Sequence, residues 1–567
     1  MIESSTAGLL GAFTRRLAST YRDLTDDGGR RDRALMTLTL AETMLEEHRV
    51  WESYDDLPVH VAVVGPTQAG KSTVVNLLLG RQLAEASPLA AFTRELTGFI
   101  QCRDVREENR IRAIFGEDGV RLESAPQDDG GEAVVWDTPD FDSHLSHGYR
   151  ALIARVGALA DVIVLVVSKE KYADLSVWET LDALRPLGRR LVVCLNKVSS
   201  DQEVLSDAVH ERLRDAGWDR EGVPVIVLPH APDGDVYGAL SRTEEVSGLR
   251  RLVIDPAHRC DHNRRLRGLC ALFERNWDDW LRPVVAELGA AHDWQRDVDR
   301  KLDEAMTIYE EQYLDQVSHN SAFKQAVLQL LELLEIPALA GPLSRARNVL
   351  TWPMRKLTGL FDGGGERGRG DTETEILKDV MEHALLALHA EIVRGSEDTG
   401  QAGAWWRALN RAYPGAAEQL KSAFGDQIRQ YQVAFEPEIE EAARSLYERL
   451  EENPVMLNTL RASRVGADTA GVIFAIKTGT VGIADALLTP AMLSLTSMMT
   501  EGAVGQYMET VRDKLRERQR ARVQEMLTLS FRGTLLDIVN NTSVAGLFRI
   551  DGLELEEAMQ MRKEICG

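Results

Sequence analysis

The stretch "VHVAVVGPTQAGKSTVVNLLLG", residues 59–80, constrains this chain more than any other. Val59 to Val64 is an unbroken apolar run that predicts a strand covered on both faces. It leads into Gly65-x-x-x-x-Gly70-Lys71-Ser72 and then into a helical apolar pattern. Strand, glycine-bearing loop and helix, in that order, form the setting in which this spacing cradles phosphate. The glycines let the backbone curl so that its N–H groups face the phosphates. The helix N-terminus adds its positive end. Lys71 is the residue to neutralise the β- and γ-phosphates, and the Ser72 hydroxyl is the one to ligate Mg²⁺. Thr67, Gln68, Ala69 and Thr73 complete the expected nucleotide-binding loop. A chance match of the spacing is the alternative, and the strand–loop–helix context argues against it.

The pattern around this loop is that of an α/β sheet. Short apolar runs at 59–64, 97–102, 133–137, 161–168, 189–196 and 223–229 alternate with helical stretches. Helical patterns precede them at 5–24 and 32–51. After Asp255 the chain reads as helix almost throughout, with stretches at 372–396, 404–453, 506–530 and 553–564. The expected fold is therefore an α/β P-loop domain, mostly parallel with helices on both faces. A large all-α helical-bundle region is built from the N- and C-terminal flanks. With 567 residues, two to four domains are expected.

Two further elements fit a phosphate site. Asp137 ends the apolar run "AVVWD", where a carboxylate can hold Mg²⁺. A structural aspartate at a strand end is the alternative. Thr93, in a loop before the second strand, is the threonine chosen to cover the γ-phosphate and the metal, with Thr97 as its rival. Downstream, "CLNKVSSD" places Asn196-Lys197 directly after another apolar run.

Gly65–Ser72, Thr93-Arg94, Asp137-Thr-Pro and Asn196-Lys197 stand in the order of GTPase motifs one to four. At motif level, over about 57–255, the chain resembles bacterial dynamin-like large GTPases, within the P-loop GTPases of the translation-factor-related class. The resemblance implies Mg²⁺ and GTP as cofactors and GTP/GDP as ligands. It implies hydrolysis with Gln68 as the polar residue nearest the attacking water, and self-association through the GTPase domain. It departs from the pattern in three places. Asp140 replaces a motif-three glycine, Ser199 stands where the base-reading aspartate is expected, and "LPHAP" (228–232) stands for the fifth motif. Asp201 is the replacement acceptor for guanine, and Ser199 making one weaker contact is the other option. Without a carboxylate acceptor, guanine is no longer strictly distinguished from adenine, so ATP use stays open beside GTP.

Two unusual stretches lie in the helical part. Residues 336–361 carry Arg345, Arg347, Arg355 and Lys356 with no acid, interleaved with Trp352 and several leucines. Basic residues mixed with aromatic and apolar ones suit an anionic membrane surface. A connector paired with acidic helices is the bland alternative. Residues 465–508, which include Phe474, are apolar but interrupted by charges and by Pro490. They are too short in uncharged runs for a spanning helix and read as a helical hairpin, either core or lipid-dipping. The formal charge of −23 disfavours nucleic acid as a partner. Five scattered cysteines, without metal-ligand spacing, read as free thiols of a reducing compartment. The expected location is the cytoplasm, with peripheral contact at the inner membrane face as an extension of the membrane reading.

The expected division is 1–56 N-terminal helices packing on the helical region and 57–255 GTPase domain. Then come 256–361 helical bundle, 362–371 flexible loop, 372–464 bundle, 465–508 hairpin and 509–567 returning helices.

Overall fold

The computed structural model describes residues 4–23, 28–50, 57–85, 96–101, 105–116, 120–126, 132–139, 146–198, 202–218, 222–230, 236–316, 321–334, 372–455, 457–458, 503–541 and 548–567. The chain divides into two compact units, Met1–Val285 with Phe548–Gly567, and Ala286–Leu547. A long helix runs over His262–Tyr309, and the division by packing falls inside it.

The first unit is built on a seven-stranded sheet. Its strands are β1 (Val59–Val64), β2 (Thr97–Ile100), β3 (Arg121–Ser124), β4 (Ala133–Asp137), β5 (Val162–Val167), β6 (Arg190–Val198) and β7 (Val225–Pro229), in the order β3-β2-β4-β1-β5-β6-β7. All pairings are parallel except β2 with β4. β1, β4 and β5 are buried at every residue, as their β-branched runs require of strands covered on both faces. β3 was not expected. Its sequence RLES has no apolar run, and Arg121 pairs with Glu123 at 2.6 Å on an exposed edge. Charged edge strands resist pairing with another chain, and the same charges hide them in a sequence. The chain crosses from β4 to β5 over β1, so the strand order switches direction at β1. In open α/β sheets such a switch opens a crevice at the carboxyl ends of the strands.

Helices α1 (Ser4–Asp23), α2 (Gly28–Val50), the first part of α10 (His262–Tyr309) and α16 (Gly552–Cys566) complete this unit. The sheet's own helices are α3 (Lys71–Leu79), α4 (Val105–Phe115), α5 (Ser146–Leu159), α6 (Leu175–Leu184), α7 (Gln202–Asp215), α8 (Val236–Leu240) and α9 (Glu244–Val253), of which α4, α5 and α6 pack against α2 while α3, α8 and α9 pack together. α1 meets α10 through Phe13 against Trp277, with ring centroids 6.2 Å apart. Pro283 lies inside α10 and has no N–H to give the carbonyl four residues back, that of Asp279. The Tyr21 hydroxyl of α1 donates there instead, at 3.3 Å, and to the Trp280 carbonyl at 3.0 Å. Burial pushes the Tyr21 hydroxyl pKa well up, so it stays a donor.

A buried charge network holds α2 and α10 to the amino end of β5. Arg265 pairs with Asp161 at 2.7 Å and with Glu47, and donates to the Leu159 carbonyl. Asp161 also accepts from the backbone N–H of His60 at 2.8 Å and of Cys260 at 2.9 Å. Removing one member of such a set leaves a buried charge unpaired, which costs about 3–5 kcal/mol. The expectation of free thiols is corrected here. Cys270 of α10 and Cys566 of α16 form a disulfide with Cα atoms 5.4 Å apart, while Cys194 and Cys260 are free and buried. The partners are separated by 296 residues, so no sequence spacing betrayed them.

The second unit is helical. It contains the rest of α10, α11 (Ser321–Leu333), α12 (Thr372–Ser396), α13 (Gln401–Glu451), α14 (Ala503–Met526) and α15 (Gly533–Asn541). Its core is aromatic and aliphatic, including Trp294, Tyr309, Phe424 and Phe531. Within it the Glu373 carboxylate accepts from Tyr309 at 2.7 Å, Gln519 at 2.8 Å and Tyr431 at 2.9 Å. This ties α12 to α10, α14 and α13. Burial holds both tyrosines protonated as donors. The arginines of α14 meet acids of its neighbours, such as Arg518 with Glu438 at 2.8 Å. Among the described residues no helix is long and apolar enough to cross a membrane. Residues 335–371 and 459–502, which hold Arg345, Arg347, Trp352, Arg355, Lys356 and Phe474, lie outside the described residues.

Tyr21→Phe removes the donor that replaces the missing proline N–H. Unfolding of the first unit in denaturant, followed by tryptophan fluorescence, should show a loss of about 1–2 kcal/mol. Unchanged stability would mean that the Asp279 carbonyl finds another donor.

Candidate nucleotide site

The loop after β1 runs at the carboxyl end of the sheet, at the switch point. Gly65 is required by a close approach: a Cβ there would stand 2.2 Å from the Val166 carbonyl oxygen of β5. Gly70 is required twice over. Its φ is +91°, and a Cβ would stand 2.2 Å from Asn196 Nδ2. The sequence reading gave both glycines one role, exposing N–H groups to phosphate. The structure adds that neighbouring strands leave no room for a side chain.

Lys71 is the first residue of α3 and is buried. Its ammonium donates to the Pro66 carbonyl at 3.2 Å and so arches over the loop where phosphates would sit. The Ser72 hydroxyl donates to Asp137 Oδ2 at 2.8 Å, bringing together the two groups expected to serve a metal. A hydroxyl and a buried carboxylate at the head of a helix fit Mg²⁺, which takes few protein oxygens and keeps waters and phosphate oxygens as its other ligands. Thr138, which follows Asp137, is fully buried and donates from Oγ1 to the Val63 carbonyl at 2.8 Å. That bond fixes the end of β4 against the end of β1. Sequence reasoning passed over Thr138, although its place in Asp137-Thr-Pro was visible.

Asn196 and Lys197 meet this loop directly. Asn196 Nδ2 donates to the Ala69 carbonyl at 2.9 Å, and its Oδ1 accepts from the Lys197 N–H at 3.0 Å. Lys197 Nζ donates to the Gln68 carbonyl at 2.8 Å. Asn196 therefore braces the phosphate loop through its amide. Gln68 and Lys197 have φ of +62° and +61°, two of the three non-glycine residues with positive φ among the described residues. Such conformations cost about 1–3 kcal/mol and persist where the surroundings over-determine them. Here each strained residue is one end of the bond between them. Gln68 is exposed and Thr67 half-buried, so both are accessible to a ligand.

Glu170, in the loop after β5, was also missed. The Ser168 hydroxyl donates to it at 2.9 Å and holds its carboxyl below the usual range, with the Lys197 charge helping. The fifth-motif stretch is placed by the His230 N–H, which donates to the Val198 carbonyl at 2.9 Å. The structure brings together Gly65, Thr67, Gln68, Ala69, Gly70, Lys71, Ser72, Thr73, Asp137, Asn196 and Lys197. Thr93, Asp140, Ser199 and Asp201 lie outside the described residues.

If Asn196 braces the loop, Asn196→Ala should weaken GTP and ATP alike, by about 10- to 100-fold, the worth of a buried hydrogen bond whose partner is left unmet. Titration with fluorescent nucleotides checks this. A loss confined to guanine nucleotides would mean that Asn196 acts on the ring edge of the base instead.

Comparisons with known proteins fall on this same region. The family model described as "50S ribosome-binding GTPase" matches residues 60–197. That span begins in β1 and ends at Lys197, and it is a P-loop GTPase domain. The GTPase Der of Nitrobacter hamburgensis is 28% identical over 146 residues, covering 26% of this chain and 28% of that protein. The GTPase Era of Rickettsia akari is 23% identical over 158 residues, covering 27% of this chain and 45% of that protein. The chain thus spans less than half the length of either relative. A solved structure described as an oligomerised bacterial dynamin pair for the long range sensing and tethering of membranes aligns at 12% identity. It covers 96% of this chain and 95% of its own, with a TM-score of 0.35.

Proposed function

We propose that the chain binds GTP with Mg²⁺ and hydrolyses it, and that nucleotide state acts on the helical parts joined to the GTPase domain. The observation that carries this is the convergence of the phosphate loop, the Ser72–Asp137 pair at 2.8 Å and the Asn196–Lys197 loop at one end of one sheet. The matched GTPase model spans the same residues. Mg²⁺ held at this site would supply positive charge against the negative charge that develops in phosphoryl transfer. Ser72 and Asp137 are the residues to hold it, with Thr93. Lys71 releases the Pro66 carbonyl and turns its ammonium to the phosphates. The loop N–H groups and the start of α3 bind the β-phosphate, and Gln68, exposed at the loop tip, orients water. Asp201 is assigned to the guanine edge, with Lys197 laid along the base. Phosphoryl transfer is mostly positioning and charge neutralisation, so a slow basal rate that rises on self-association fits this residue set.

Two readings of the helical parts differ in their target. The membrane reading rests on residues 336–361 and 465–508, whose basic, aromatic and apolar composition suits an anionic lipid surface. The ribosome reading is favoured by the description of the matched family and by the Der and Era relatives. Those matches cover only the GTPase domain, and a formal charge of −23 opposes contact with RNA. We therefore place the membrane first, and a protein partner bound without lipid is the outcome if vesicles fail.

Purified protein should release phosphate from GTP faster than from ATP, and EDTA should stop it. Lys71→Ala should lower the rate by at least about 100-fold, as loss of a charge aimed at the transition state does. Normal turnover in that variant would overturn the site. Co-sedimentation with anionic vesicles is expected. Pelleting with ribosomes but not with vesicles would reverse the order of the two readings.

A further inference from the structure

The cysteines of this chain are not equivalent. Cys194 and Cys260 are buried, and burial pushes the Cys194 thiol up to about 12, so it is neither accessible nor a thiolate. Cys270 and Cys566 are oxidised to each other, and Cys566 is exposed in the last turn of α16 while Cys270 is half-buried. α16 has little else to hold it. Of its residues only Ala558 and Ile565 are buried apolar anchors, and Leu553 and Met559 are 66% and 48% exposed. Its polar ties are Arg16 with Glu554, which is partly exposed, and Arg562 stacked 5.0 Å from the Trp277 ring centroid. A helix of this length is marginal in isolation, and partly exposed ion pairs contribute little. The covalent bond is therefore the largest single constraint on where α16 sits.

We propose that Cys270–Cys566 is a site of thiol–disulfide exchange with low-molecular-weight thiols, and that its state sets whether α16 stays docked on α10 and α1. A thiolate attacks the sulfur of Cys566, the more exposed residue of the pair. The bond between the two protein sulfurs breaks, and the electron pair leaves on Cys270, which takes a proton. A second thiolate attacks the mixed disulfide on Cys566 and releases the low-molecular-weight disulfide and the Cys566 thiolate. The balance is one protein disulfide and two thiols giving two protein thiols and one small disulfide. The exposure of Cys566 at the end of α16 is what makes this cystine exchangeable rather than merely structural. The chain leaves the first unit at Val285 and re-enters it at Phe548, so the same bond closes a covalent loop around the whole second unit.

The full chain is equilibrated in oxidised or reduced glutathione, alkylated, digested and read by mass spectrometry, with amide hydrogen exchange measured in parallel. In oxidised glutathione the Cys270–Cys566 crosslinked peptide is expected. In reduced glutathione both cysteines should be alkylated together while Cys194 and Cys260 stay protected. Exchange in α16 should then rise by about tenfold or more, as for a locally released element, while β1 and β5 stay unchanged. Cys566→Ser should show the fast α16 exchange in both buffers. The proposal fails if no crosslinked peptide forms, if the bond yields to glutathione only in denaturant, or if α16 exchanges equally in all states. None of these readouts depends on nucleotide turnover.

Discussion

The bond from Asn196 Nδ2 to the Ala69 carbonyl, 2.9 Å long, is the constraint on which the rest of the site depends. It joins the end of β6 to the loop that follows β1, across the intervening β5. Gly70 has no side chain because that amide occupies the space where a Cβ would stand. Lys197 follows with positive φ, which turns its ammonium onto the Gln68 carbonyl. Asn196 and Lys197 are thus tied to the phosphate loop before any ligand arrives. Preorganisation of this kind removes the cost of ordering a loop on binding.

The opposite end of the sheet carries a different constraint. Asp161, at the amino end of β5, gathers two backbone N–H groups and the guanidinium of Arg265, which also reaches Glu47 of α2. Burial raises the Glu47 carboxyl above its ordinary range, and Arg265 opposes that rise. The root of α10 is therefore fixed by charges that none of its partners can release singly. α16 is fixed at a neighbouring turn of α10 by a bond that a thiol can release. One attachment is permanent and the other is conditional, and both belong to the unit that carries the nucleotide site.

Much of this was legible in the sequence, for physical reasons. Buried parallel strands need continuous apolar runs, so β1, β4, β5 and β6 stood out, and the phosphate loop was readable because its spacing is local. β3 was not, since an edge strand such as RLES is charged on purpose. The continuity of α10 through Pro283 was not legible either, because it depends on Tyr21, far away in the chain, taking over the abandoned carbonyl. The partners that matter most were invisible because they are far apart in the chain: Asn196 with Ala69, Arg265 with Asp161, Cys270 with Cys566. Asn196 was identified by type, and the structure adds its partner, the Ala69 carbonyl, because spacing shows which residue is near a site and not which way its amide points.

The central claim is that the phosphate loop, with Asn196 and Lys197 against it, is a guanine nucleotide site. The most direct measurement is competition for a fluescent-free reference, GDP in isothermal titration of the full chain, by GTP and by ATP in the presence of Mg²⁺. The account predicts saturable binding of one nucleotide per chain, with GTP displacing GDP at concentrations where ATP does not. Equal displacement by ATP, or no heat of binding to either, would contradict it.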